Sequence, residues 1–113
     1  MLVEEKEVLR VPSPGGKFEA VLSTRDGGAT TSVVYLVTIV RKGKAIGDHP
    51  DAVLDNVTSR ESGEAPSLRW RSPRHLEIGF EKARVFSYSN FATFGSLGNV
   101  SIALKHPDVG FVP

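Results

Sequence analysis

The stretch from Ser13 to Val40, SPGGKFEAVLSTRDGGATTSVVYLVTIV, holds the longest apolar run of the chain and two glycine-rich turns. In the first turn, proline presets φ and glycine accepts positive φ. The residues after it alternate, so that three apolar side chains share one face of a predicted strand: Phe18, Ala20 and Leu22. From Thr31 to Val40 both faces are apolar, which is typical of a strand covered on both sides. The stretch therefore predicts two strands, of which the second is central.

The rest of the chain repeats this pattern of short apolar segments separated by turns. Its 113 residues match one ordinary domain, and no helical period is apparent. Seven to eight short strands at regular spacing, one of them predicted from Ala83 to Phe91, are typical of an antiparallel fold. The sequence therefore predicts a single all-β domain over residues 1–113, either an antiparallel β-sandwich or an open barrel. A propeller would need more four-stranded blades than one such chain holds.

One hairpin can be predicted in register. Ser72, Pro73 and Arg74 form its turn, and paired residues must share a face. Trp70 should then lie opposite Leu76 and Arg69 opposite Glu77, which requires a loop of three or five residues. The core positions predicted around this hairpin are Trp70, Leu76, Ile78 and Phe80. Trp70 has a second interpretation, as an exposed platform for a sugar or a peptide.

Composition excludes several classes of function. Fourteen basic residues against 13 acidic ones give a net charge of +1, which argues against nucleic-acid binding because that draws its affinity from neutralised phosphates. The absence of cysteine excludes thiolate nucleophiles, zinc–thiolate sites and disulfides. The three histidines, His49, His75 and His106, do not form a metal-ligand pattern.

The remaining polar residues do not form a catalytic motif. The serines lack the G-x-S-x-G elbow, and no phosphate-binding loop follows the glycines of the second turn. Asp48, Asp51 and Asp55 could meet as paired carboxylates, but a loop position predicts that they are solvated. We therefore expect no catalytic, cofactor-binding or metal-binding residues, no cofactor, and a protein that is not an enzyme.

The sequence leaves the compartment open. No segment approaches the roughly 18 apolar residues of a membrane span. Acidic residues follow Met1, Leu2 and Val3 directly, so no signal peptide is visible. The chain as it stands predicts a cytoplasmic protein, and removal of a leader would instead predict a periplasmic or envelope protein.

Two motifs resemble those of a family of small bacterial β-rich proteins of uncharacterised activity. SPGGKF from Ser13 to Phe18 and RDGGATT from Arg25 to Thr31 are similar to the family patterns SPDGKY and RDCGATT. Gly15 stands in place of the family aspartate and Gly27 in place of its cysteine, which removes any thiol role. Many members are exported or lipid-anchored, so the resemblance implies a β fold and a cell-envelope location.

The connector from Arg25 to Thr31 is the first candidate for a contact surface. Its polar residues exceed what a turn needs, and we predict contact positions at Arg25, Asp26, Thr30 and Thr31. Asp26 and Thr30 could equally serve to hydrogen-bond the turn backbone. The sequence favours a non-enzymatic module that binds another protein, and it leaves an edge-paired homo-oligomer open. The alternative is a small hydrolase or carbohydrate-binding domain whose site is assembled from distant residues.

Overall fold

The computed structural model of the protein describes residues 4–26, 33–47, 49–58 and 65–105. Within these residues the chain forms nine strands and one short 3-10 helix, Gly95–Leu97, so no helix there is long enough to cross a membrane. The strands are β1 Glu4–Pro12, β2 Phe18–Asp26, β3 Val34–Arg41, β4 Ala52–Thr58, β5 Ser67–Ser72, β6 His75–Gly79, β7 Lys82–Tyr88, β8 Phe91–Thr93 and β9 Asn99–Lys105.

The strands form two sheets that pack face to face. The first sheet has the order β1-β2-β3-β4-β7, and all its pairs are antiparallel. The second has the order β5-β6-β9-β8, with a single parallel pair between β6 and β9. The predicted all-β fold class is confirmed, and neither sheet closes into a barrel. The described strands number nine because the segment predicted as one strand, from Ala83 to Phe91, ends at Tyr88 and a further strand begins at Phe91.

The core lies between the two sheets, and both sheets contribute to it. The first sheet supplies alternate residues of β2, β3 and β4, and the second supplies those of β6 and β9. Burial of this much apolar surface is the main stabilising contribution, at about 25 cal/mol per Å². The buried core residues are Phe18, Ala20, Leu22, Val37, Ile39, Ala52, Leu54, Val57, Leu76, Ile78, Phe80, Val100 and Ile102.

Strand β3 is central, as predicted. It is third of five in its sheet, and five consecutive residues, 36–40, are buried. Its neighbour β2 is also buried on both faces, since Val21 and Ser23 lie opposite Phe18, Ala20 and Leu22 in the alternation. The two strands therefore form the most protected part of the sheet. The hydroxyl of Ser23 is buried and makes no hydrogen bond to a described residue.

The first glycine-rich turn holds β1 against β2. Ser13 is buried, and its hydroxyl accepts a hydrogen bond of 3.1 Å from the backbone N–H of Phe18. Gly15 and Gly16 adopt φ values of 88° and 73°, in the left-handed region that glycine enters without steric cost. The Ser-Pro-Gly-Gly sequence is thus explained by turn geometry.

The predicted register of the β5–β6 hairpin is confirmed. Trp70 lies opposite Leu76, and Arg69 lies opposite Glu77. The predicted loop length was wrong, because β5 ends at Ser72 and β6 begins at His75, which leaves a two-residue turn. A bulge between Trp70 and Ser72 adds one residue to β5. Because of this extra residue, Trp70 still lies opposite Leu76 on the same face of the sheet although the turn has only two residues.

Candidate functional site

Each sheet ends in a strand that carries exposed apolar side chains. Strand β7 is the last strand of the first sheet, β8 is the last strand of the second, and two residues connect them. Four side chains there are more than one-third exposed: Val85 at 37%, Phe86 at 55%, Tyr88 at 39% and Phe91 at 53%. We call β7, β8 and their connection the open edge. Large exposed apolar groups on neighbouring strands are typical of an interaction surface.

The connection between β7 and β8 is held by backbone hydrogen bonds on both sides. Ser89 N–H donates to the carbonyl of Asp51 at 2.8 Å, and Ile102 N–H donates to the carbonyl of Asn90 at 2.9 Å. The hydroxyl of Tyr88 donates to the carbonyl of Ile102, which links the first sheet to the second. Burial raises the pKa of Tyr88, so the hydroxyl keeps its proton at neutral pH.

A cavity of about 380 Å³ opens at this connection. It is lined by Tyr88, Ser89, Asn90 and Phe91, and so combines two aromatic rings with a hydroxyl and an amide. Pockets of this size and mixed lining hold a side chain or a small ligand. The cavity gives the open edge a concave part as well as exposed rings.

Strand β7 is anchored to β4 by an ion pair that corrects one sequence prediction. Asp55 was expected to be solvated in a loop, but it lies in β4 and is buried. Arg84 of β7 binds both of its carboxylate oxygens, at 2.9 and 2.7 Å. The sequence prediction was wrong because the cation that permits burial comes from a strand 29 residues away. The hydrogen bonds from Arg84 hold the pKa of Asp55 below its ordinary value.

Arg84 also positions the most exposed ring of the open edge. Its Cζ atom lies 4.9 Å from the centre of the Phe86 ring, which is a cation–π contact. The pairing of β4 with β7 shifts between Val53 and Leu54, so that Phe86 is the extra residue of a bulge. The bulge and the guanidinium together present this ring to solvent.

The opposite side of the sandwich is closed by Trp70. This half-buried ring packs against the core, and its indole N–H donates to the carbonyl of Val11 at 2.9 Å. The bond joins β5 to β1, the two edge strands on that side. We call these two strands the closed edge. The prediction of Trp70 as a core residue matches its packing, and the platform interpretation does not fit an indole N–H already bonded within the chain.

Strand β1 carries charged side chains where β7 carries aromatic rings. Glu5, Lys6 and Glu7 are exposed, and Arg10 binds both carboxylate oxygens of Glu7 at 2.8 and 3.0 Å. Arg10 also binds Glu19 at 3.0 Å. The apolar residues Val8 and Leu9 are 50% and 41% exposed, at a shift in the pairing of β1 with β2. A consecutive run of exposed charged residues, such as Glu5 to Glu7, protects an edge strand from pairing.

Two of the four sequence-predicted contact residues, Arg25 and Asp26, lie at the end of β2. Arg25 is exposed, and its guanidinium lies 3.5 Å from the Glu5 carboxylate. The backbone of Asp26 ends the strand, while the Asp26 side chain, Thr30 and Thr31 lie outside the described residues. Arg25 therefore contributes to a surface ion pair, and the contact role of the connector stays a prediction.

One serine–histidine pair lies on the outer face of the second sheet. His75 and Ser101 are paired across β6 and β9, with 2.7 Å between His75 Nδ1 and Ser101 Oγ. The Ser101 hydroxyl also lies 3.2 Å from the carbonyl of Arg74, to which it donates. A hydroxyl has one hydrogen, so Nδ1 donates to Ser101 in the histidine tautomer in which the hydroxyl donates to the carbonyl. The pair is arranged as a cross-strand link.

Asp51, the second carboxylate that was predicted to be solvated, is held by a backbone hydrogen bond. It is partly buried, and its Oδ2 accepts a hydrogen bond of 2.8 Å from Ile39 N–H. Burial raises the pKa of Asp51, and the Ile39 hydrogen bond partly opposes that rise. Among the described residues, histidine, aspartate and glutamate nowhere gather in a group of three or more that could hold a metal ion.

Comparison with protein families, with curated proteins and with solved structures finds no match to this chain. The site is therefore defined by its own geometry. Sequence reasoning missed the exposure of Phe86, Tyr88 and Phe91, although it predicted a strand there. The available signal was the lysine and the arginine within this run, because charged residues suit an edge strand better than a central one.

Proposed function

We propose that the protein is a non-enzymatic protein-interaction module and that its open edge is the contact surface. One observation carries the proposal: four apolar side chains on two adjoining edge strands are each more than one-third exposed. Aromatic residues are enriched in the buried centres of protein interfaces, and charged residues are depleted there. The open edge has the first of these properties, because it exposes the aromatic rings of Phe86, Tyr88 and Phe91.

The position of the aromatic rings differs between the two edges, and this difference also supports the proposal. On the closed edge, the tryptophan ring packs inward and bonds to Val11. On the open edge, the Phe86 ring faces solvent, although the chain could hold a polar residue in that position at little cost to folding. Because Arg84 holds this exposed ring in position, the ring is suited to contact with a partner.

The experiment is affinity capture from native lysate with matched variants of the two edges. Phe86→Ser together with Phe91→Ser removes the exposed rings of the open edge. Val8→Ser together with Leu9→Ser removes comparably exposed apolar groups from β1. A protein partner retained by the wild type and the β1 variant but lost with the open-edge variant supports the proposal. A partner retained equally by all three proteins would contradict it.

The alternative function is a small hydrolase or a carbohydrate-binding domain. Phe91 favours the second of these, since its ring is exposed beside the polar Ser101 and His75 on the outer face of the second sheet. An aromatic ring between polar groups is a surface on which a sugar can stack. Binding to a glycan that Phe91→Ser abolishes, or turnover of a simple ester, would overturn the interaction proposal.

We further propose a bacterial cell-envelope setting, on the resemblance of the motifs at 13–18 and 25–31 to an exported family. Fractionation of cells that express the complete open reading frame tests this part. Recovery with the envelope supports it, and recovery with the cytosol contradicts it.

A further inference from the structure

Strand β7 leaves the backbone groups of one side at the end of its sheet. It reads KARVFSY from Lys82 to Tyr88, with no proline or glycine, and it pairs with β4 on one side only. Its other side ends the five-stranded sheet. An edge strand of this length offers a row of backbone donors and acceptors to another strand.

The charges on β7 restrict how a second copy could pair with it. In an antiparallel pair related by a twofold axis, the axis passes through one residue of the strand. An axis at Ala83 would place Lys82 opposite the partner's Arg84, and an axis at Arg84 would place two arginines opposite each other. Like charges directly opposite are destabilising, so both registers are disfavoured.

An axis at Val85 removes these conflicts and places each of the seven residues of β7 opposite a residue of the partner's β7, with the bulged residue Phe86 next to the axis. Arg84 then lies opposite the partner's Phe86, and Lys82 lies opposite the partner's Tyr88. Within one chain the Arg84 guanidinium already lies over the Phe86 ring at 4.9 Å, so the same favourable cation–π contact is available across the axis. An axis at Phe86 also avoids like charges, but it leaves Lys82 and Ala83 without a partner within the strand.

We propose that two copies of the chain associate by antiparallel β7–β7 pairing about a twofold axis at Val85. The two five-stranded sheets then join into one continuous sheet of ten strands. The proposal rests on the proposed function and names the partner, a second copy of this chain. A twofold interface of this kind is closed, so association stops at the dimer.

The cavity at the end of β7 fits the same arrangement. Lys82 is exposed, and the register brings the partner's Lys82 beside Tyr88, which lines the cavity. The aliphatic stem of a lysine covers apolar surface while its ammonium group stays solvated or lies over an aromatic ring. Each copy thereby covers the cavity of the other.

The test combines mass measurement with cross-linking on the complete chain. Sedimentation equilibrium should give a mass that rises with concentration toward twice the 12.2 kDa of one chain. Val85→Lys places two cations opposite each other on the axis and should weaken the dimer about tenfold or more. Val8→Lys, on the edge strand β1, should leave the dimer unchanged.

Cross-linking keeps the proposal testable even if Val85→Lys fails to fold. The chain has no cysteine, so Val85→Cys introduces a single thiol at the axis. Opposite residues in a strand pair have Cβ atoms roughly 5 Å apart, within reach of a short bis-maleimide. Val85→Cys should cross-link to a dimer several-fold faster than Val8→Cys. Equal rates, or a mass of one chain at every concentration, would overturn the dimer.

Failure of the dimer and failure of the proposed function give different results. A monomeric wild type that captures another protein through the open edge contradicts the dimer and supports the interaction function. A monomeric wild type whose captured proteins do not depend on Phe86 and Phe91 contradicts both.

Discussion

The two lateral sides of the sandwich differ in where their aromatic rings lie. On the closed edge, Trp70 packs against the core and bonds to Val11, so the ring joins β5 to β1. On the open edge, Tyr88 makes the equivalent link to Ile102, while Phe86 and Phe91 face solvent. One link closes each side, and among the residues that the structure describes, the open edge carries additional exposed rings and the closed edge does not.

The residues that hold the sheets together are therefore separate from those that we propose to contact a partner. The links by Trp70 and Tyr88 satisfy buried or half-buried polar groups and hold the sheets together. The rings of Phe86 and Phe91 lie beyond those links, where their removal leaves the core intact. Substitutions on the two sides should therefore separate loss of stability from loss of association.

Trp70→Ala should have the largest effect on folding. It removes a ring packed against the core and leaves the carbonyl of Val11 without its donor, so the free energy of unfolding should fall by about 2–3 kcal/mol. Trp70→Phe, which loses the N–H and keeps most of the ring, should cost about 1 kcal/mol. Urea denaturation measures both. A Trp70→Ala protein as stable as the wild type would show that this side is not closed by the indole.

Arg84→Gln should destabilise the protein in a pH-dependent way. It leaves the buried carboxylate of Asp55 without its cation. The pKa of Asp55 in the folded wild type is below its ordinary value, so the ion pair stabilises the fold above about pH 4 and is lost as pH falls through the folded pKa. The difference in denaturation midpoint between wild type and variant should therefore shrink on acidification.

Arg71→Gln is the matched control on the closed edge. It removes the ion pair with Glu77, at 2.8 Å, in which the arginine side chain is 47% exposed. Surface pairs contribute little, so its effect should be small at every pH. Equal losses from Arg84→Gln and Arg71→Gln would contradict a specific anchoring of β7.

Asp51→Asn should show the opposite dependence on pH. Burial raises the pKa of Asp51 in the folded state above that of the unfolded chain, so the wild type loses stability as pH rises between these two values. Asparagine can still accept the Ile39 hydrogen bond without a charge. The variant should gain stability relative to the wild type as pH rises above about 4, and denaturation at several pH values measures the gain. A constant difference across that range would count against burial of the charge.

Phe91→Ser should have the smallest effect on folding. Its ring is 53% exposed, so the free energy of unfolding should change by no more than about 0.5 kcal/mol. Thermal denaturation checks this, with Ala92→Ser as the control on the core-facing side of the same strand. A larger loss from Phe91→Ser than from Ala92→Ser would show that the ring belongs to the core.

The fold could be predicted where alternation and turn chemistry act locally. The central position of β3, the glycine turn and the Trp70–Leu76 register follow from patterns within about 30 residues of sequence. The parallel pairing of β6 with β9 could not be predicted, because it depends on contacts between distant segments. The same reason applies to Asp55, which is buried only because Arg84 reaches it from another strand.

The open edge could be predicted only in part. The segment from Ala83 to Phe91 reads as β-prone, but alternation does not tell an edge strand from a central one. The exposure of Phe86 depends on a bulge in β7 and on the position of that strand at the end of the sheet. The connector from Arg25 to Thr31, by contrast, was predicted as a contact surface from its sequence motif. The structure shows that Arg25 forms a surface ion pair with Glu5.

Amide hydrogen exchange at low and high protein concentration tests the central claim most directly. If the open edge pairs with a second copy, amides of β7 should exchange more slowly as concentration rises, because paired N–H groups are protected. Amides of β1 should exchange at the same rate at both concentrations. Protection of β7 that does not depend on concentration, or protection that rises equally in β1, would contradict the account.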